Sequence, residues 1–363
     1  MEAMEIGKQI ALLKGKRVLV TGHTGFKGSW LVAVLNRLGA TVMGYALAPN
    51  TNPNHFDLYK PAIESTIGDI RDRATLQQAV SSFAPDIIFH LAAQPLVRYS
   101  YQHPIETFET NVMGSLNLYE AARATPSVRA IVSITTDKVY KNKEWQWGYR
   151  ENEELGGYDP YSASKACVEI MTSSYRNSFL HLDDYGTKHQ LLLATVRAGN
   201  VIGGGDWSLD RLIPDIVKAS AQSMDTHIRN PLAVRPWQHV LEPIVGYLLV
   251  GTRLLHGEKE YADAFNFGPD ADANVNVKAV AEICRKHWAD IAITLSTEAN
   301  NNAPHEANLL FLDNTKAKKT LGWKPQWNLE ATIAHTIGWY KQYYTTQELL
   351  TDKQIDAYLK QID

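Results

Sequence analysis

The stretch VLVTGHTGFKG, residues 18–28, decides the fold class of this protein. Its apolar start predicts a short buried strand, and GSWLVAVLNRLGA after it predicts a helix ended by Gly39. Gly22, Gly25 and Gly28 lie at the turn between them, where glycine permits a tight bend and lets backbone amides approach a pyrophosphate. The spacing G-x-x-G-x-x-G differs from the G-x-G-x-x-G fingerprint. A packing turn remains the alternative, but the strand–turn–helix context favours a dinucleotide site.

Strand-like and helix-like segments alternate through the first 200 residues. The predicted strands are RVLVTG, TVMGYAL, STIGDI, DIIFHLAA, AIVSITT and QLLLATVRAGNV. The segments between them include three predicted helices, RDRATLQQAVSSFA, TFETNVMGSLNLYEAARAT and YSASKACVEIMTSSYRNSF. This alternation indicates right-handed parallel crossovers. The expected fold class is therefore α/β, with a doubly wound parallel sheet of the Rossmann type.

The pattern changes after residue 200, where GGGDWSLDRLIP predicts a loop and the later strands are short. We expect residues 1–200 to form an NAD-binding Rossmann domain. Residues 201–363 are expected to form a smaller C-terminal substrate-binding domain over the carboxyl edge of the sheet, where ligands bind in open α/β folds. The segment at about 234–256 is expected to return to the first domain.

The composition is that of an ordinary globular protein. The chain has 363 residues, 45% of them hydrophobic, and a net charge of −3, which gives no basic surplus for nucleic-acid binding. The two cysteines, Cys167 and Cys284, are too few for a disulfide framework and lack metal-site spacing, so we expect no metal and a cytoplasmic protein. No apolar run approaches the length of a membrane span, and the N-terminal segment lacks the features of a signal peptide.

Further residues are placed to contact a dinucleotide. Asp69 follows the third predicted strand, where it can accept a hydrogen bond from an adenine amino group or simply form a turn. Ala92 and Ala93 follow the fourth strand and are small enough for a cofactor to lie close to the backbone. The remaining expected contacts are Phe26, Ile70, Tyr161 and Lys165, of which Lys165 could hold the ribose. The second strand ends in GYALAPN, without the acidic residue that favours NAD, so this rule leaves NAD and NADP open.

Tyr161 and Lys165, in YSASK, are four residues apart and share a helix face. A free tyrosine, with a pKa of about 10, is a poor base at neutral pH. A nearby ammonium and a cationic nicotinamide both favour the phenolate. Thr136, in TTDKVY after the fifth strand, would share the proton network of a substrate hydroxyl. Together these residues can take a proton from an alcohol while hydride leaves its carbon, although Y-x-x-x-K alone also occurs by chance.

These residues together resemble the extended short-chain dehydrogenase/reductase superfamily over nearly the whole chain. Within it, TTDKVY, WGYRENEELGGYDPYSASK, RAGNVIGGGDWSLDRLIPDI and RPWQHVLEP look like the CDP-glucose 4,6-dehydratases. The resemblance implies retained NAD, CDP-glucose as substrate, CDP-4-keto-6-deoxyglucose as product, and a pathway to deoxy sugars of bacterial surface polysaccharide. It also implies a homodimer or homotetramer, with a four-helix contact through the helix around residues 107–124 and the helix from Tyr161.

The resemblance also implies roles for single residues. Asn111 matches a helix asparagine that supports the active site, Asn200 a residue that contacts the substrate diphosphate, and Arg235 an arginine that binds the phosphate region. Arg98 and Arg211 could reach the same phosphates or stay exposed.

The pair Asp137-Lys138 stands where related sugar dehydratases carry Asp-Glu, acid then base. Asp137 inherits the acid role by position and must be held protonated, which requires burial or a negative neighbour. Lys138 departs from the pattern. It is either the base that removes the carbon 5 proton, or a cation that stabilises the enolate, or an exposed lysine at a strand end.

Two other functions compete with the dehydratase. A nucleotide-sugar 4-epimerase oxidises and reduces carbon 4 and needs no elimination acid, so Asp137-Lys138 argues against it. A non-catalytic NAD(P)-sensing protein would keep the glycine turn but would not need Thr136, Tyr161 and Lys165 together.

Overall fold

The computed structural model describes residues 5–228, 230–270, 273–295 and 309–362. The first four residues of the N-terminal segment, for which no signal peptide is expected, lie outside these ranges. Among the described helices, none combines the length and apolar character that crossing a membrane requires.

A seven-stranded parallel sheet forms the centre of the molecule, with the strand order β11-β6-β5-β4-β1-β2-β3. Its strands are β1 Arg17–Thr21, β2 Thr41–Ala46, β3 Glu64–Ile67, β4 Ile87–His90, β5 Ala130–Ile134, β6 Leu192–Ala198 and β11 Ala264–Phe267. The order reverses next to β1, as in doubly wound folds, where ligands bind at the carboxyl ends of the strands at this point. The predicted fold class and all six predicted strands are confirmed.

Helices cover both faces of this sheet. They are α1 Ile6–Ile10, α2 Phe26–Arg37, α3 His55–Tyr59, α4 Arg73–Phe83, α5 Val97–Gln102, α6 Pro104–Phe108, α7 Gly114–Arg123, α8 Pro160–Ser178, α9 Leu212–Ala221, α10 Leu241–Leu255, α11 Val277–His287, α12 Thr315–Leu321, α13 Leu329–Thr346 and α14 Thr351–Ile362. One apolar core lies on the side of α2 and α10 and includes Val18 and Val20, and a second, on the side of α4 and α7, includes Leu19. Successive residues of β1 thus point to opposite faces, and both faces are buried.

Two features differ from the sequence prediction. The segment TFETNVMGSLNLYEAARAT was predicted as one helix, but a π-helical turn, Glu109–Met113, separates α6 from α7. The seventh strand, β11, was not predicted, because it lies in the second half of the chain, outside the alternation of strands and helices that marks the first six.

The second half of the chain supplies β11, three two-stranded sheets, and helices that pack against the main sheet. The small sheets pair β7 Val201–Ile202 with β10 Gln238–His239, β9 Val234–Pro236 with β12 Asn274–Asn276, and β8 Thr226–Ile228 with β13 Ile293–Leu295. Helix α10 packs against β4, β5, β6 and β11. The division at residue 200 stays a prediction.

The glycine turn between β1 and α2 is closed by backbone contacts. Gly22 has φ +75°, and a Cβ there would lie 2.7 Å from the amide nitrogen of Ala92. A Cβ on Gly28 would lie 2.1 Å from the carbonyl oxygen of Gly22. At Gly25 the nearest atom to such a Cβ is the same oxygen, at an ordinary 3.4 Å. Only two of the three glycines are therefore required by packing.

We predict that Gly28→Ala destabilises the protein by at least about 1–3 kcal/mol, since the added methyl group forces a backbone shift in a packed turn. Gly25→Ala is the matched control and should change stability much less. Urea unfolding of both variants checks this, and equal losses would contradict the packing argument.

Candidate active site

The segment after β5 carries three polar side chains to the carboxyl edge of the sheet. All five residues of β5 are buried, and the amide of Thr135 extends its ladder by donating to the carbonyl oxygen of Val196 at 2.9 Å. The chain then turns in a 3₁₀ helix, Asp137–Val139, with Thr136 as its N-cap. The turn leaves Thr136 and Asp137 buried and Lys138 partly exposed.

Asp137 is a carboxyl group enclosed by the protein. It is 3% exposed, and its Oδ1 accepts a hydrogen bond of 2.9 Å from the Thr136 hydroxyl. Burial raises the pKa of Asp137, while the charge of Lys138, the Thr136 hydrogen bond and the charges of Arg235 and Lys27 act in the opposite direction. The raised pKa favours the protonated form that a general acid requires.

Tyr161 and Lys165 face this segment from the first turns of α8. Asp159 caps that helix by accepting from the amide of Ser162 at 2.9 Å, which fixes where α8 begins. The Thr136 hydroxyl lies near the Tyr161 phenol and lowers its pKa, and the Lys165 Nζ donates to the carbonyl oxygen of Ile134 at 3.1 Å. The Thr136 hydroxyl thus donates to the Asp137 carboxyl and lies near the phenol.

Burial is the largest influence on the pKa values of Tyr161 and Lys165 in the protein without a bound molecule. It raises the pKa of Tyr161 to about 12, although the hydrogen bond from Thr136 lowers it. It lowers the pKa of Lys165 to about 8, against the charge of Glu169, which raises it. The lowering of the Tyr161 pKa expected from the sequence is therefore not a property of the protein alone.

Asn111 supports the helix that carries Tyr161. It is fully buried in the π-helical turn, where its Nδ2 donates to the Ser164 hydroxyl at 2.8 Å and its Oδ1 accepts from the amide of Gln94, also at 2.8 Å. The amide of Tyr161 donates to the Ser100 hydroxyl at 3.1 Å. These contacts fix α8 relative to the segment after β4.

The expected cofactor contacts surround the glycine turn. Within the described residues, the first turn of α2 has no side-chain cap, so its amide groups can bind an anion. Phe26 approaches Gly203, and the amide of Ala92 donates to the Thr21 hydroxyl at 3.2 Å, with Ala93 directly after it. Small residues and open amides of this kind fit a dinucleotide.

Asp69 and Ile70 lie at the end of β3. Asp69 is engaged by Arg71, whose Nη2 and Nε lie 2.6 and 2.9 Å from its Oδ2, and these hydrogen bonds lower the pKa of Asp69. Any contact of Asp69 with an adenine would be shared with Arg71. Ile70 is buried and packs against Gly114.

Two of the four expected substrate residues act electrostatically on the catalytic cluster. The charge of Arg235 lowers the pKa of Asp137, and that of Arg211 lowers the pKa of Tyr161. Arg98 forms a 3.2 Å ion pair with Asp210, next to Arg211 in the chain. The Asn200 carbonyl oxygen accepts from the amide of Gln238 at 3.3 Å, which attaches it to β10.

Two residues at this site were missed from the sequence. The Lys27 Nζ lies 3.3 Å from the Tyr247 hydroxyl of α10, and Tyr247 lies near enough to Tyr161 for their charges to interact. Burial, together with the charges of Arg211 and Lys165, lowers the pKa of Lys27 to about 7. The cation inside the glycine motif was a visible signal for Lys27, whereas nothing in the sequence marks Tyr247.

Comparison with known proteins decides the family. The family model described as GDP-mannose 4,6 dehydratase matches residues 19–336. The chain belongs to this family. Among curated relatives, the CDP-glucose 4,6-dehydratase of Salmonella typhimurium is 47% identical over 350 residues, which cover 95% of this chain and 97% of the relative. The predicted resemblance to the sugar-nucleotide dehydratases is confirmed.

Solved structures agree on the fold of the family. An epimerase from Methanothermobacter thermautotrophicus has a TM-score of 0.78 at 22% identity, covering 96% of this chain and 97% of that one. The UDP-glucose 4-epimerase of Thermus thermophilus, in complex with NAD, has a TM-score of 0.74 at 23% identity, covering 90% and 99%. At these identities the likeness shows the shared architecture.

Lys27 gives a prediction for stability against pH. Its folded pKa of about 7 lies below its ordinary value of 10.5, so the unfolded chain binds more protons between these values and stability rises with pH across that window. The cost of burying the charged lysine is largest below pH 7. We expect Lys27→Met to stabilise the protein at pH 7 by about 1–3 kcal/mol, and by progressively less as the pH approaches 10.

Denaturant unfolding at pH 7 and pH 9 checks this prediction, with the exposed Lys319→Met as control. A gain for Lys27→Met that is equal at both pH values would show that its charge is not the cause.

Proposed function

We propose that this protein is a CDP-glucose 4,6-dehydratase, which converts CDP-D-glucose to CDP-4-keto-6-deoxy-D-glucose and water. The observation that carries the substrate assignment is the near full-length, 47% identical CDP-glucose 4,6-dehydratase. The buried carboxyl of Asp137 beside Tyr161 supports the reaction type, because an elimination needs an acid that a simple oxidation does not.

Dehydration across carbons 5 and 6 requires a temporary ketone at carbon 4, since only then is the carbon 5 proton acidic. NAD, when bound, supplies this chemistry by accepting hydride from carbon 4 and returning it to carbon 6. The open amides of α2, Gly22, Ala92 and Ala93 would hold it. Structural neighbours solved with NAD, such as the Thermus thermophilus epimerase, support this choice of cofactor.

Tyr161 takes the proton of the carbon 4 hydroxyl, and Thr136, which lies near the phenol, shares the proton network of that hydroxyl. The phenolate it needs is opposed by burial and favoured by cations. Lys165, one helical turn along α8, supplies one such cation, and the positive nicotinamide ring supplies another. Lys165 also holds the cofactor ribose in this proposal.

Asp137 protonates the carbon 6 hydroxyl as it leaves, so that the water formed contains that hydroxyl and the Asp137 proton. The proton taken by Tyr161 at carbon 4 balances the one that Asp137 gives. The base that removes the carbon 5 proton returns a proton there when hydride reaches carbon 6. Lys138 is our candidate for this base, and enolate stabilisation by its ammonium is the alternative.

The substrate diphosphate would lie among Arg211, Arg235 and Asn200, with Arg98 at their edge through its ion pair to Asp210. Arg211 and Arg235 already act on Tyr161 and Asp137, which supports a phosphate site next to the sugar. In this proposal residues 1–200 form the domain that binds NAD, and most of residues 201–363 belong to the domain that binds the nucleotide sugar. The free cysteines and the cellular supply of nucleotide sugars support a cytoplasmic enzyme of deoxy-sugar synthesis for surface polysaccharide.

The test is an incubation of the purified protein with NAD and, separately, the CDP, dTDP, UDP and GDP forms of glucose, with products read by NMR. We expect a 4-keto-6-deoxy sugar from CDP-glucose. Asp137→Asn should keep oxidation at carbon 4 but lose most elimination, on the order of 10²-fold for an acid catalyst, so reduced nicotinamide should accumulate.

Other outcomes would replace this proposal. A galactose-configured product would establish a 4-epimerase. Binding of NAD without turnover of any of the four sugars, with Tyr161→Phe binding NAD equally well, would favour the sensor.

We also propose that the protein is a homo-oligomer through α6, the π-helical turn and α8. These neighbouring elements expose large apolar side chains, among them Ile105 at 73%, Ile170 at 58% and Met113 at 50%. Clustered exposed apolar residues mark interaction surfaces. A second copy of the same face would cover them in a four-helix contact.

We predict that Ile170→Glu converts the oligomer to monomer, because it places a charge in the apolar contact. Light scattering after size exclusion measures the mass, and Leu232→Glu, an exposed residue outside these helices, is the control. A wild-type protein that is already monomeric would contradict the proposal.

A further inference from the structure

A buried ion pair between Glu169 and Arg197 lies behind the catalytic residues, and the proposed mechanism does not use it. Glu169 lies one turn after Lys165 on α8, and its carboxylate forms an ion pair with Arg197 of β6, Oε2 to Nη2 at 2.8 Å. Both side chains are almost fully enclosed, 2% and 4% exposed. An enclosed pair of this kind is costly to desolvate, so its retention beside an active site calls for a reason.

Both oxygens of the Glu169 carboxylate accept hydrogen bonds, from one residue directly after β5 and two residues of β6. Oε1 accepts from the Thr135 hydroxyl at 2.5 Å and from Arg197 Nε at 2.9 Å, and Oε2 accepts from the Thr195 hydroxyl at 2.7 Å. Thr135 immediately precedes Thr136, so the carboxylate attaches the catalytic segment after β5 to the helix that carries Tyr161 and Lys165. Such contacts fix catalytic groups relative to one another.

Arg197 extends the network away from the site. Its Nη1 donates to the Tyr140 hydroxyl at 2.6 Å and to the Glu151 carbonyl oxygen at 3.0 Å. The Tyr140 hydroxyl in turn donates to Asn266 Oδ1 of β11 at 2.8 Å. Tyr140 closes the segment TTDKVY, so both ends of that segment are held by one buried ion pair.

We propose, on the basis of the proposed dehydratase function, that Glu169 is a positioning residue that stabilises the Lys165 ammonium and fixes the segment bearing Thr136 and Asp137 to α8. Glu169 itself touches neither substrate nor cofactor in this proposal. It acts through Lys165 by charge and through Thr135 by a hydrogen bond.

The charged groups near Lys165 determine whether its pKa rises or falls when Glu169 loses its charge. Burial lowers its pKa to about 8, and the Glu169 carboxylate is the charge that raises it. From other elements, Lys27 of α2 adds a positive charge when protonated, and His90 of β4 is neutral at working pH because burial lowers its pKa to about 3. Removing the Glu169 charge therefore lowers the pKa of Lys165 further, and the ammonium is lost at lower pH.

The variant that tests this is Glu169→Gln combined with Arg197→Met, because removing the carboxylate alone would leave a buried guanidinium unpaired and could prevent folding. The first readout is the pH profile of kcat. We expect its alkaline limb to move down by about one pH unit, so that activity at the limb falls on the order of tenfold beyond any loss at lower pH.

The second readout is independent of activity. Carbon-13 NMR of lysine labelled at Cε follows the titration of Lys165, whose resonance is assigned by its loss in Lys165→Met. The Lys165 pKa should be lower in the double variant than in the wild type. This measurement tests the proposal even if the wild type turns over no CDP-glucose, in which case only the proposed function fails.

The control is Glu242→Gln. Glu242 is another buried carboxyl, and it accepts hydrogen bonds from the backbone amides of Gln326 and Trp327. Its replacement should change stability but neither the pH profile of kcat nor the titration of Lys165. A folded double variant whose Lys165 titrates as in the wild type, with a pH profile reduced uniformly, would overturn the proposal and leave Glu169 a structural residue.

Discussion

The enclosure of the Asp137 carboxyl at the end of β5 is the constraint on which the rest of the site depends. The protein surrounds this group so closely that a Cβ on Gly199 would lie 2.9 Å from its Oδ2. Burial raises the pKa of Asp137, and so the folded protein stabilises the protonated acid. The sign of the linkage is unfavourable for stability, because a raised carboxyl pKa lowers stability as pH rises from the ordinary value of 3.8 through the folded one. Buried groups that lower stability in this way are found mainly at functional sites, where the shifted pKa serves the reaction.

The charged side chains around Asp137 and Tyr161 form two groups with different roles. Arg211 favours the phenolate of Tyr161, whereas Arg235 and Lys27 lower the pKa of Asp137. Glu169 and Arg197 lie behind the reacting groups as an ion pair that holds the geometry, and the charge of Glu169 also raises the pKa of Lys165. The pKa of Asp137 stays raised because the effect of burial outweighs that of the cations. The site therefore contains an acid beside a tyrosine, which a simple phosphate-binding pocket would not need.

The sequence predicted those parts of the fold that local pattern encodes. Five of the six strands were recognisable because each is an apolar run, and the turn at Gly22 and Gly28 because only glycine fits there. The third strand, β3, is mostly exposed and was recognisable only from its place in the strand–helix alternation. The strand β11 was missed because it lies beyond the strand–helix alternation of the first 200 residues, and the π-helical turn because it leaves the amphipathic pattern nearly intact. Thr136, Asp137, Tyr161 and Lys165 could be grouped because strand ends and a helix face meet at one edge. Tyr247 could not, because it reaches the site only through the packing of α10 on the sheet.

The protonation state of Asp137 is the most direct test of this account. Infrared difference spectroscopy between the wild type and Asp137→Asn at neutral pH isolates the carboxyl stretch of this one side chain from the other buried acids. The account predicts a protonated carboxyl band that is lost in the variant and that shifts in heavy water. A difference spectrum with only carboxylate bands would show that Asp137 is ionised, and it would contradict its assignment as the elimination acid.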